Sequence, residues 1–220
     1  MASLSSRGWP FAGLALALFG IPAATTAHRI LAPDPLATGG IVAREVAILA
    51  LTALLLWIVV KGERLPLSSI GIRTTGIARS LAWGVALAII CFAAAIGCLA
   101  IYGAMGIHYG EGQAISRALP VTTLAVVRAG ISEEVLYRGF AIERLQAITG
   151  NTSLAAGISL ILFAAFHFRQ GLAGVVLALV LGAVLTGFYL WKRDLISNMF
   201  AHFLVDFIPN VLLVVLGLVH

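Results

Sequence analysis

Long apolar stretches dominate the chain, and short polar or charged segments separate them. Each stretch is close to the roughly 20 residues that a helix needs to cross the hydrocarbon core of a bilayer. The pattern predicts seven transmembrane helices, at about 9–27, 41–60, 80–104, 119–137, 153–168, 172–190 and 195–219. It therefore indicates an all-α fold, a polytopic bundle in which residues 1–220 form a single integral membrane domain.

Two segments need a separate interpretation. The apolar run 9–27 is long enough to span a bilayer, so we interpret it as a retained first helix and not as a signal peptide. In the segment 138–150, apolar side chains are mixed with charged ones such as Glu143 and Arg144. This mixture predicts a short amphipathic helix that lies in the membrane interface and ends at Gly150.

The composition agrees with a membrane protein, because 61% of the residues are hydrophobic, 10% are charged and the mean hydropathy is +1.06. The net charge of +5 does not indicate a nucleic-acid partner, since the basic residues are scattered through short loops. They indicate topology instead. With the N-terminus inside, nine face the cytoplasm and four face outward: Arg7, Lys61, Arg64, Arg73, Arg79, Arg138, Arg144, Lys192 and Arg193 against Arg29, Arg44, Arg117 and Arg169. We expect a multi-pass protein of a prokaryotic plasma membrane with a cytoplasmic N-terminus.

Among the nine acidic residues, we single out Glu133, Glu134 and Asp206, which fall in or beside the apolar segments. An ionisable group at the centre of a bilayer costs at least about 2.5 kcal/mol on insertion scales, so each is a functional candidate. Glu134 and Arg138 are four residues apart and can pair on one helical face. Glu133 has no such partner at this spacing, and a carboxylate left in an apolar wall suits a general base.

Two histidines complete the set of polar candidates. His202 and Asp206 are again four residues apart on one predicted helix, and each must be satisfied inside the bundle. His167 ends an apolar string, and a single histidine in that setting is more often a hydrogen-bonded packing residue than a catalyst. Counted from the predicted helix ends, Glu133 and His202 lie at about 7 and 10 Å depth, whereas His167 lies at about 21 Å.

These residues admit two chemistries. In one, Glu133 and His167 activate a water, while His202 and Asp206 stabilise the oxyanion or the water. In the other, His167, His202 and Glu133 bind a divalent metal such as zinc, although the H-E-x-x-H signature is absent. The cofactor is left unassigned, with zinc as a possibility.

Three motifs occur in a fixed order along the second half of the chain: E-E-x-x-x-R at Glu133, Glu134 and Arg138, F-x-x-x-H at Phe163 and His167, and H-x-x-x-D at His202 and Asp206. Together they resemble the CPBP family, which comprises type II CAAX prenyl endopeptidases and bacteriocin-processing or immunity proteins. The resemblance covers roughly the last 100 residues and implies a protease-like core at about 119–219.

The resemblance implies an intramembrane endopeptidase. Glu133 and His167 would activate the water, and His202 with Asp206 would shape the oxyanion site. Type II CAAX endopeptidases carry Asn at the position of Asp206, so an acid there must be protonated or paired with His202 to act as a donor. Both a metal-dependent and a metal-free, glutamate-based mechanism are argued for this family.

Three functions remain open from the sequence. The leading hypothesis is an intramembrane protease that acts on a membrane-associated peptide or protein, with an active site that opens towards the cytoplasm. The second is a non-catalytic membrane immunity or scaffold protein, in which the motif residues serve structure. The third is a proton-coupled transporter, although paired, interrupted half-helices are lacking.

Overall fold

The computed structural model describes residues 8–107, 109 and 118–218, and every regular element in this part of the chain is a helix. The predicted all-α class is therefore confirmed. The first half contributes α1 (Trp9–Leu31), α2 (Thr38–Trp57) and α3 (Ile77–Ala104). The second half contributes α4 (Leu119–Glu133), α5 (Glu143–Thr149), α6 (Thr152–Ala165), α7 (Gly171–Lys192), α8 (Leu195–Phe207) and the short α9 (Leu213–Val215).

Five helical stretches in the described residues are long and apolar enough to cross a membrane: Trp9–Leu31, Thr38–Gly62, Ile77–Ala104, Phe168–Lys192 and Leu195–Val215. They agree with the first, second, third, sixth and seventh predicted spans. Among the residues used to predict topology, Arg7 and Arg117 lie outside the described residues, as does the end of the last predicted span.

The two remaining predicted spans differ from a simple crossing helix. α6 covers about 21 Å at 1.5 Å per residue, which is less than the roughly 30 Å of a hydrocarbon core. The helix that begins at Leu119 carries charged side chains near its centre. The bundle is thus that of a polytopic membrane protein, and the count of seven spans stays a prediction.

The helix that begins with α4 continues without a break to Thr149. The π-helical segment Glu134–Ile142 joins α4 directly to α5, and all its residues are buried. The segment 138–150 is therefore helical, as predicted, but it is not a separate helix, and its place in the membrane interface stays a prediction. Its predicted end is confirmed, since Gly150 stops the helix with a φ of 67°.

The charged side chains that suggested an interface have partners within the protein. Arg144 is bound to Glu63 at 2.7 Å, which ties α5 to the connection after α2. The hydroxyl of Tyr189 donates to Glu143 at 2.7 Å, and Arg193 pairs with the same carboxylate. These contacts, which sequence spacing could not show, hold the first turn of α5 against the protein.

α4 and α8 run antiparallel and approach each other closely. A Cβ at Gly130 would lie 3.0 Å from the backbone nitrogen of Phe203 and 3.1 Å from the backbone oxygen of Met199. Farther along the same helix, a Cβ at Gly139 would lie 2.8 Å from Leu195, at the start of α8. The small residues thus bring the segment around Glu134 against the middle of α8.

The first helix packs as an integral part of the bundle. Leu14, Ala17 and Leu18 are buried in the main hydrophobic core. Gly13 faces the ring of Phe140 so closely that a Cβ there would lie 2.2 Å from it. α1 therefore packs against the π-helical segment as α8 does.

Candidate active site

Glu134 is the centre of a buried cluster of polar side chains. Its Oε1 accepts hydrogen bonds from Arg138 Nη1 and from His202 Nδ1, both at 2.7 Å. Its Oε2 accepts from Asn198 Nδ2 at 3.2 Å. Neither Glu134 nor Arg138 is more than 1% exposed. The predicted pair of Glu134 and Arg138 is present, and the bonds from Asn198 and His202 to Glu134 join the π-helical segment to α8.

Arg138 extends this cluster to two further helices. Its guanidinium lies 4.1 Å from the centre of the Phe163 ring on α6, and Nη2 donates to the carbonyl of Gly182 on α7 at 3.4 Å. A buried charge is tolerated when it is paired and its remaining protons find acceptors. Arg138 therefore holds α6 and α7 at fixed positions around the glutamate.

His202 and Asp206 share a face of α8, as predicted. His202 Nε2 lies 3.5 Å from Asp206 Oδ2, while the opposite ring nitrogen is bound to Glu134. An ionised carboxylate can only accept a hydrogen bond, so Nδ1 carries a proton and the ring orientation is fixed. The side chain of Asp206 is 34% exposed, which makes it the accessible end of this line of groups.

Glu133 has a cation partner, so the prediction that its carboxylate is unpaired is wrong. Arg128 Nη1 donates to Glu133 Oε1 at 2.8 Å. Arg128 precedes Glu133 by five residues, whereas the sequence argument considered only partners four residues away on the same helical face. The other oxygen, Oε2, accepts no hydrogen bond from the described residues, and the side chain is 14% exposed.

Arg128 is itself held by a third carboxylate, from α2. Its Nε donates at 2.6 Å to Glu45 Oε2, and the other oxygen of Glu45 accepts from Arg44 Nε at 2.8 Å. The side chain of Glu45 is fully buried. A chain of charged groups therefore runs from Glu133 through Arg128 and Glu45 to Arg44.

His167 lies just after α6 and makes one hydrogen bond to the backbone. Its Nδ1 donates to the carbonyl of Phe163 at 2.8 Å, and the two rings pack with centroids 4.8 Å apart. Because a carbonyl only accepts, the neutral ring carries its proton on Nδ1 and leaves Nε2 as an acceptor. Within the described part of the chain, no hydrogen bond joins His167 to either glutamate.

Glu133 and His167 lie at more similar depths in the bundle than counting from the predicted helix ends indicated. Because the long helix continues to Thr149, Glu133 lies about 24 Å from that end of the bundle and not about 7 Å. His167 lies about 22 Å from the adjacent start of α6. His202 touches Glu134 directly. The three motifs therefore supply one layer of the bundle.

The zinc hypothesis does not fit this layer. No three His, Cys, Asp or Glu side chains of the described residues form a group that could hold a metal ion. Glu133 is bound to Arg128, and Nε2 of His202 faces Asp206 at 3.5 Å. The proposed ligands His167, His202 and Glu133 are thus not assembled as a metal site.

Three residues of the charged layer were missed at the sequence level: Glu45, Arg128 and Asn198. Glu45 lies inside the predicted span 41–60 and Arg128 inside the predicted span 119–137. The rule that singled out Glu133 and Glu134 therefore applied to them as well. Asn198 gave a weaker signal, because a neutral amide in a membrane helix has a smaller cost of burial.

The layer can perform acid–base chemistry. It offers two acceptors that are not fully used, Glu133 Oε2 and His167 Nε2. It also contains the pair of His202 and Asp206, which is partly exposed. The fold and this site together define a polytopic helical membrane protein with a buried cluster of ionisable side chains.

Comparison with known families supports the motif assignment. Residues 115–208 match the family model described as type II CAAX prenyl endopeptidase Rce1-like. The resemblance to the CPBP family is thereby confirmed over a segment that contains the predicted site residues Glu133, Glu134, Arg138, His167, His202 and Asp206. The matched family is one of endopeptidases. No curated protein and no solved structure gives a significant match.

Proposed function

We propose that this protein is an intramembrane endopeptidase that hydrolyses a peptide bond of a membrane-associated peptide or protein. The observation that carries the proposal is the single layer in which the three motifs meet, with Glu133 and His167 left as acceptors. The family match over 115–208 supports the same reaction class. A CAAX-type prenyl protein is the substrate class that the resemblance favours.

In the proposed reaction, a water lies between Glu133 Oε2 and His167 Nε2. Glu133 takes a proton from the water, and the oxygen attacks the peptide carbonyl carbon. The tetrahedral intermediate then collapses as the peptide C–N bond breaks, and the proton passes to the leaving nitrogen. His167 accepts a hydrogen bond from the water, which keeps it oriented before attack.

His202 and Asp206 are assigned to the developing oxyanion. An unprotonated Nε2 and an ionised carboxylate 3.5 Å apart would repel each other, so the pair holds one proton on Nε2, and at this long separation the same N–H would donate to the oxyanion as well as to Asp206. This meets the requirement that an acid at the position of Asp206 be protonated or paired. Glu134 contributes by fixing the ring of His202, and Arg138 contributes by fixing Glu134.

The proposal predicts that Glu133→Gln abolishes cleavage without unfolding the protein. The amide keeps a carbonyl oxygen that can accept from Arg128, but it cannot take a proton from water. Loss of a general base lowers turnover by about 10²–10⁴-fold. His167→Ala should have a similar effect. Cleavage of reconstituted membrane peptides, including a prenylated CAAX peptide, followed by mass spectrometry of the products, measures both variants.

The matched control is Asp34→Asn, an exposed acid in the connection between α1 and α2. Glu143, an acid ten residues after Glu133 on the same helix, is unsuitable as a control because it binds Tyr189 and Arg193. Turnover above a few per cent of wild type in folded Glu133→Gln would exclude Glu133 as the base. If the wild-type protein gives no product from any peptide, the scaffold interpretation is favoured.

A further inference from the structure

A cavity of about 500 Å³ lies between the end of α1 and the connection from α6 to α7. Its walls combine two arginines, Arg29 and Arg169, with the hydroxyl-bearing Thr25 and the apolar Ile30 and Phe168. The mechanism proposed above uses none of these side chains. The cavity is thus a second concave site with its own chemistry.

The cavity carries uncompensated positive charge. Within the described residues, neither Arg29 nor Arg169 makes an ion pair or hydrogen bond to an acid. Arg29 and Arg44 both repel Arg169 electrostatically. Arg44 is already bound to Glu45, so the two arginines that line the cavity are the ones left for an anion.

The apolar part of the site faces outward. Ile30 is 74% exposed and Phe168 is 66% exposed, both at the rim of the cavity. In a membrane helix such surfaces lie against lipid. A ligand that satisfies the whole site therefore has an anionic head for the arginines and an apolar body that continues into the bilayer.

We propose that this cavity binds the phosphate group of an anionic phospholipid, with Arg29 and Arg169 as its ligands. Arginine suits phosphate because its planar guanidinium donates two parallel hydrogen bonds. Basic pockets between membrane helices bind lipid headgroups in this manner. The threonine hydroxyl adds a further donor.

The site adjoins the candidate active layer through the chain itself. Phe166 and Phe168 both line the cavity, and His167 lies between them. Phe166 also packs on Phe19 of α1, with ring centroids 6.2 Å apart. A bound lipid therefore restrains the two residues that flank His167.

The test is native mass spectrometry of the full-length protein released from nanodiscs that contain equal amounts of phosphatidylglycerol and phosphatidylcholine. Wild type should retain phosphatidylglycerol preferentially. The double variant Arg29→Gln with Arg169→Gln should lower its affinity about 30-fold, since each surface arginine contributes about a factor of five to binding an anionic lipid. The matched control is Arg73→Gln with Arg79→Gln, two exposed arginines, one on the connection after α2 and the other in the first turn of α3.

A cavity-filling variant and a comparison with inorganic phosphate complete the lipid-binding experiment. Thr25→Phe fills the cavity without changing charge and should also reduce phosphatidylglycerol retention, which keeps the test valid if the arginine variant unfolds. Thermal stabilisation by inorganic phosphate equal to that by phosphatidylglycerol would show a site for free phosphate and overturn the proposal. Unchanged lipid retention in both cavity variants, or competition by a soluble peptide carboxylate alone, would overturn it as well.

Discussion

The guanidinium of Arg128 bridges Glu133 and Glu45, so the position of the proposed base depends on a residue from another helix. Breaking this bridge leaves Glu133 chemically intact but free to move. A displacement of about 1 Å at a reacting group can cost about 10²-fold in rate. On the proposed mechanism, Arg128 and Glu45 would be positioning residues that act through Glu133.

We expect Glu45→Gln to lower kcat by roughly 10–100-fold while KM changes little, because the substrate contacts are unaffected. Steady-state cleavage of a membrane peptide measures both constants. Arg44→Gln is the control, since it leaves the bond between Arg128 and Glu45 in place and should have a smaller effect. A kcat within twofold of wild type in folded Glu45→Gln would contradict the positioning role.

The pair of Glu134 and Arg138 makes a different prediction, about stability. Removal of one partner of a buried pair strands a charge and costs about 3–5 kcal/mol. Glu134→Gln and Arg138→Gln should therefore each lower the thermal unfolding temperature in detergent more than the double variant does. Equal losses in all three proteins would argue against an energetically coupled pair.

At the scale of the elements, the site depends on how closely α4 approaches α8. Gly130 has backbone atoms of α8 within 3.0–3.1 Å of where a Cβ would lie, and backbone cannot move aside as a flexible side chain can. The contact between Glu134 and His202 lies one helical turn from this crossing. Any separation of the two helices there would open the charged layer.

Gly130→Val should therefore lower the unfolding temperature and abolish cleavage, at a cost of about 1–3 kcal/mol for overpacking. Gly97→Val is the matched control, because Gly97 lies within α3 and a Cβ there would meet no described atom within 4 Å. Both proteins would be compared by thermal unfolding and by product formation. Similar behaviour of the two variants would show that the close approach is unimportant.

Hydrophobic patterning was sufficient to predict the helices, since each apolar stretch needs a regular hydrogen-bonded backbone in lipid. It was not sufficient to show that the helix continues past residue 138, where a new helix was predicted to begin. The continuous helix through Glu134–Ile142 is set by neighbours on every side, and charged residues near its end are satisfied by Glu63 and Tyr189. Contacts with distant parts of the chain leave no periodic pattern in the local sequence.

The same distinction applies to the site. The spacing of four residues predicted the pair of Glu134 and Arg138 and the shared face of His202 and Asp206. It could not predict that Arg128 reaches Glu133, because five residues separate them and the long arginine side chain spans the difference. The contact with Glu45 joins distant parts of the chain, so only the folded structure shows it.

For the whole molecule, orientation decides which compartment the charged layer faces. The line from Glu133 to Glu45 and Arg44 leads towards the bundle end that carries the connection between α1 and α2. With the predicted cytoplasmic N-terminus, that end is external. A cytoplasmic opening at this end would require the reverse orientation. One topology experiment therefore tests both the predicted cytoplasmic N-terminus and the predicted cytoplasmic opening of the active site.

Cysteine labelling distinguishes them in intact cells. In a protein with Cys91 and Cys98 replaced by Ala, Leu36→Cys and Thr74→Cys each introduce one exposed thiol on opposite sides. The positive-inside count predicts that a membrane-impermeant maleimide labels Leu36→Cys directly and labels Thr74→Cys only after permeabilisation. The opposite pattern would overturn the predicted topology.

Because Glu45 belongs to α2, the segment that matches the endopeptidase family depends on a helix outside that segment. The segment that matches the endopeptidase family begins at 115, yet one of the two carboxylates that neutralise Arg128 comes from α2. A fragment limited to the matched segment would leave that guanidinium half neutralised in an apolar surrounding. The helices of the matched segment are therefore not an exchangeable module, and any graft onto another set of leading helices must supply an acid at the depth of Glu45.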